Sequence, residues 1–105
     1  MERQFAMLLS RLLGSEAPIA ATAGSGTAAL ISVILARASR ASAPRVLVSC
    51  YTFVATAAAV EQCGYQLHVI DIDETTGWLH PDKFVAHPVL PEVGLVLPVA
   101  PFGRA

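Results

Sequence analysis

A chain of 105 residues has room for one small domain, and 54% hydrophobic against 14% charged residues is an apolar composition that burial on both faces of a sheet explains. A formal net charge of -1 gives no electrostatic pull toward nucleic acid or an anionic membrane. Cys50 and Cys63, the only cysteines, form no CxxC and have no histidine pair at ligand spacing, so neither a zinc site nor a disulfide framework is indicated.

In chain order, charged Glu2 and Arg3 lead into an amphipathic pattern rather than a secretory core and cleavage site, which makes the cytoplasm the default location. Phe5, Leu8, Leu9, Leu12 and Leu13 repeat at helical spacing, and Gly14 is placed to cap that helix. Pro18 to Ala23 reads as a short strand, Gly24-Ser25-Gly26 as a tight turn, and Thr27 to about Ala38 as a helix so apolar on every side that it should be buried. The uncharged run Ala17 to Ala36 is long enough for a membrane span. Its interior, Ala21-Thr22-Ala23-Gly24-Ser25-Gly26-Thr27, argues against one by breaking the segment at mid-bilayer.

Pro44 marks a break before a second strand, Arg45 to Ser49. Thr52 to Cys63 is alanine-rich and helical, with Gly64 at its C-cap. Gln66 to Ile70 is a third strand, Asp71 to Pro81 an acidic turn region, and Gly94 to Val99 a further strand. Strands alternating with helices at these spans predict βαβ units, a mostly parallel sheet, and ligands beyond the carboxyl ends of the strands.

Three constellations could carry chemistry. The Gly24-Ser25-Gly26-Thr27 turn opens a helix, whose free N–H groups and dipole suit an anion; the alternative is an ordinary turn in which Ser25 caps the helix and glycine supplies a positive φ. It is not a P-loop, since no lysine is near, and the second strand ends without the acid that a dinucleotide fold uses on ribose. Ser49 to Thr56 delivers Tyr51 and Phe53 to a strand end, where one could cover a flat heteroaromatic ring or both could be plain core or interface aromatics. Asp71-Ile72-Asp73-Glu74 can be read as a metal-binding DxD of a glycosyltransferase or, preferably, as a solvated turn whose carboxylates cap the next segment.

Taken together, Ser25-Gly26-Thr27-Ala28-Ala29-Leu30, Tyr51-Thr52-Phe53-Val54-Ala55-Thr56, Val69-Ile70-Asp71-Ile72-Asp73 and Leu97-Pro98-Val99 resemble, in order and spacing, the opening of the DegT/DnrJ/StrS family of fold type I aminotransferases. The resemblance implies an α/β fold: a partial three-layer sandwich like the large domain of aspartate aminotransferase, with residues 1–105 its incomplete N-terminal part and no second domain. It also implies pyridoxal 5'-phosphate (PLP) as cofactor, the phosphate held by Gly26, Thr27 and Ala28 and the ring covered by Phe53. Amino transfer from an amino acid to a nucleotide-linked keto-sugar, in polysaccharide or antibiotic sugar synthesis, is the implied reaction. A homodimer is expected for the full-length protein, with small-molecule substrates and neither nucleic acid nor membrane as partner. No catalytic residue is assigned. Lys83, the only lysine, does not match the family's Schiff-base position, so residues 1–105 should not complete the reaction alone. A non-catalytic α/β module of the same fold is the alternative, and a DxD glycosyltransferase the next.

Overall fold

A computed structural model describes residues 1–16, 20–38 and 45–103. The elements are α1 (Glu2–Leu12), α2 (Gly26–Ala38), β1 (Arg45–Ser49), α3 (Val54–Gln62), β2 (Gln66–Ile70), α4 (Pro81–Val85) and β3 (Val93–Leu97), with 3-10 turns at Leu90–Glu92 and Pro101–Gly103. The three strands form one sheet in the order β2-β1-β3, and both pairings are parallel. The α/β class and the parallel sheet are those the sequence predicts.

The register explains the core. Val46 lies beside Leu67 and Leu95, and Val48 beside Val69 and Leu97. Val46 and Val48 pack with Ile34 of α2 and with Ala59 and Val60 of α3 in a fully buried cluster. Leu47, the next residue in the alternation, points to the opposite face and is buried as well. The central strand is therefore covered on both sides, which is why its sequence runs apolar without a polar alternate. The α3 helix ends at Gln62, and Gly64, just past its Cys63 cap, has a φ of +77 that sends the chain back into β2.

Two expectations need correction, and α1 and α4 add detail that the sequence left open. Within the predicted strand Pro18 to Ala23, Pro18 and Ile19 lie outside the described residues, while Ala20 to Ala23 join no sheet. Small side chains give little strand preference there, and the Ala20 N–H donates to Ser10 Oγ at 3.1 Å instead of to a ladder. The α2 helix is buried on one side only: Ile34 is inaccessible, but Val33 and Leu35 remain 51% and 48% exposed, because α3 and β3 cover just the opposite face. The apolar stripe of α1 forms as predicted and stays in solvent, and it is Ser10, not the stripe, that is buried, donating to the Ala6 carbonyl at 2.9 Å. Finally, the acidic turn region leads into α4, which begins at Pro81. The predicted break at Pro44 lies outside the described residues.

Among the described residues, no helix is long and apolar enough to cross a membrane.

Candidate functional site

After β1 the chain passes through α3 to β2 on one side, then returns across β1 to place β3 on the other. The segments that follow β1 and β3 therefore leave the sheet side by side at its carboxyl edge, where ligands of such sheets are held. The structure has a cavity of 420 Å³ there, lined by Tyr51, Thr52 and Phe53 following β1 and by Val99 to Phe102 following β3.

Phe53 occupies the N-cap position of α3 with extended backbone (φ -70, ψ 143), so its ring is delivered by the strand end rather than by the helix. It is 77% exposed, an unusual state for phenylalanine in a protein whose core it could have joined. Thr52 donates its hydroxyl to Thr56 Oγ1 at 2.8 Å and thereby ties this strand end to the first turn of α3. Tyr51 meets Phe102 across the crevice with ring centroids 6.2 Å apart and planes at 59°, within the range of favourable aromatic pairs.

The second predicted feature is the start of α2. Ser25 caps it: its Oγ accepts the Ala28 N–H at 3.1 Å and its carbonyl accepts the Ala29 N–H at 3.0 Å. The amides of Gly26 and Thr27 have no acceptor among the described residues, as the geometry of a first helical turn requires. Neither Gly24 nor Gly26 has a positive φ, and a Cβ added to either would meet nothing within 4 Å. The chain itself therefore gives no reason for glycine at position 26. The structure places Gly26, Thr27 and Ala28 on one helix end and Phe53 in the crevice; the three helix residues line none of the principal cavities.

The Asp71-Ile72-Asp73 stretch follows β2. Asp73 Oδ1 accepts the N–H groups of Thr75 and Thr76 at 2.8 and 2.9 Å, and these donors hold its carboxyl below its ordinary pKa. Asp71 pairs with Lys83 and accepts the Ile72 N–H at 3.0 Å; the lysine first and the amide second depress its pKa as well. Both carboxylates thus brace a turn, and among the described residues no group of three or more metal-ligating side chains gathers. The same pairing raises the Lys83 pKa. Cys50, one residue beyond β1, points its thiol at Asp71 Oδ1 across 3.7 Å.

Sequence reasoning missed Phe102 and the Asp71–Lys83 pair. A Pro-Phe-Gly following a strand was the available signal for the first; nothing local announced the second. Compared with known families, the chain matches the DegT/DnrJ/EryC1/StrS aminotransferase family over residues 1–105. No curated protein and no solved structure matches it.

Proposed function

The chain belongs to the DegT/DnrJ/EryC1/StrS aminotransferase family, and from that premise we propose that residues 1–105 are the N-terminal part of a PLP-binding large domain. In this reading the longer protein, a cytoplasmic homodimer, moves an amino group from an amino acid to a nucleotide-linked keto-sugar.

The observation that carries the cofactor assignment is Gly26. It sits at the first position of a 13-residue helix beside unpaired amides, needs no special φ, and has open space where a side chain would be. A dianionic phosphate approaching the backbone closely supplies the reason for glycine that the chain does not. Thr27, half-buried, adds a hydroxyl donor. Ala28 can serve as a further donor where its N–H is shared between the phosphate and Ser25 Oγ. Phe53 covers one face of the pyridine ring, adding about 0.5–1.5 kcal/mol beyond its buried area. When bound, PLP supplies the electron sink that amino transfer requires. The lysine that anchors the cofactor and the acid that protonates its ring nitrogen are assigned to the longer protein, because Lys83, the only lysine of residues 1–105, does not match the family's Schiff-base position.

Titration with PLP, followed by absorbance, tests the assignment. Thr27→Ala and Phe53→Ala should each weaken binding about tenfold. Unchanged affinity in both would remove the site, and no binding by the wild type would favour the non-catalytic module.

A further inference from the structure

The chain that follows β3 is anchored at one residue and strained at the next. Pro101 has its φ set by its own ring and lies against Gly77, where a Cβ would come within 3.2 Å of Pro101 Cγ. Gly77 closes its turn by donating its N–H to the Asp73 carbonyl at 2.8 Å, and Asp73 Oδ1 accepts from the amides of Thr75 and Thr76. Support thus reaches Pro101 from the segment after β2. One residue further, Phe102 has a φ of 56 and a ψ of 27, the only positive φ of a non-glycine residue among the described residues.

Left-handed backbone is costly for any residue with a Cβ, and a bulky one keeps it only where its surroundings hold it there. The surroundings of Phe102 are sparse. Its side chain is 85% exposed, and its one aromatic neighbour among the described residues is Tyr51, at 6.2 Å between ring centroids and 59° between planes. Burial therefore does not hold the conformation, and the tilted ring pair is the contact that opposes its cost. The gain from such a pair and the cost of the backbone are of the same order. Two conformations so nearly balanced are both populated, and a ligand that favours one draws it out.

Tyr51 and Phe102 both line the 420 Å³ crevice, and both also line a second cavity of 410 Å³. Of the two rings, Tyr51 follows β1 directly, and the preceding Cys50 N–H donates to the Ile70 carbonyl at 2.8 Å, which extends the sheet up to it. Phe102 is the partner free to move. Its return to right-handed backbone turns the Cα–Cβ bond by about 120° around the N–Cα axis, which takes the ring off Tyr51 while Pro101 stays in place. We propose that Phe102 is a latch on the crevice: in left-handed backbone it shields the Tyr51 ring, and in right-handed backbone it swings aside and opens the crevice to a ligand. The latch holds whatever ligand the crevice takes.

Fluorine NMR of the chain carrying 4-fluorophenylalanine at position 102 tests this without a ligand. Two exchanging environments are expected, with the released one at about 1% or more. Tyr51→Leu should enlarge the released population about two- to tenfold. A single environment, or exchange that Tyr51→Leu leaves unaltered, would overturn the proposal. Melting curves probe the strain separately: Phe102→Ala keeps a Cβ in left-handed backbone and Phe102→Gly does not, so the glycine variant should melt at the higher temperature. Equal melting, or a lower value for glycine, would show that nothing drives the release. Nitration by tetranitromethane probes the shielding. Phe102→Gly should speed it several-fold at Tyr51 and leave Tyr65, packed against the core, at the wild-type rate; an unchanged rate at Tyr51 would mean that Phe102 covers nothing.

Discussion

Gly26 and Gly77 both sit beside threonines in turns that follow small or polar residues, yet the structure explains only one of them. Gly77 has a φ of +75, and a Cβ there would press on Pro101 Cγ at 3.2 Å. Its identity is dictated by the fold. Gly26 has neither constraint. It lies in a helix, where glycine is among the poorest choices, at the end that leaves backbone amides unpaired. A glycine that the chain accounts for is structural, and one that it leaves unaccounted for points outward to something that must come close.

The largest effect in this comparison belongs to Gly77→Ala. Left-handed backbone costs an alanine about 1–2 kcal/mol, and contact with Pro101 adds to it, so chemical denaturation should show a loss of roughly that size or somewhat more. A loss below about 0.5 kcal/mol would mean that the turn relaxes and that Gly77 is not a fixed point. Gly26→Ala should act in the opposite sense on folding, with a gain of about 0.4–1 kcal/mol. PLP affinity should nonetheless fall, because a methyl group then occupies the approach to the amides. Should the same substitution destabilise the fold, or leave PLP binding unaltered, Gly26 and Gly77 would no longer differ in kind.

Much of this arrangement can be read from local pattern. The strands Arg45–Ser49 and Gln66–Ile70 have the limits expected of them, because one is an apolar run covered on both faces and the other lies between Gly64 and Asp71. The start of α2 is legible because Gly24-Ser25-Gly26 interrupts the chain, and Phe53 because it follows a strand. The pairing of the Tyr51 and Phe102 rings is not legible in this way. Tyr51 and Phe102 are far apart in sequence, and they meet only because β3 lies next to β1 rather than next to β2. Strand order is a long-range property that no periodicity encodes. Ala20 to Ala23 failed for the converse reason: an alanine-rich local pattern was read as a strand, and a hydrogen bond to Ser10 of α1 claims the Ala20 amide. Likewise the Asp71–Lys83 pair depends on a loop fold that brings α4 back over the end of β2.

The smallest expected effect concerns how the Gly77 turn is held, and its sign follows from Asp73. Donation from the amides of Thr76 and Thr75 stabilises the carboxylate, so its folded pKa lies below the ordinary 3.8. A depressed carboxyl pKa means that the unfolded chain takes up protons first as acid is added. The stabilisation is therefore complete above about pH 3.8 and disappears as the pH falls through the lower, folded value. Lys83 works on the opposite limb: its raised pKa contributes below 10.5 and is lost as the pH climbs through the folded value. Asp73→Asn keeps an acceptor oxygen and removes the charge. Its melting temperature should lie slightly below that of the wild type near neutral pH, with the gap constant until about pH 3.8 and closing beneath it. A gap that persists unchanged to about pH 2 would show that shape alone, without the carboxylate's charge, holds the turn from Asp73 to Gly77. The turn would then be as fixed by the fold as Gly77 is, in contrast to the open helix end at Gly26, where charge decides the outcome.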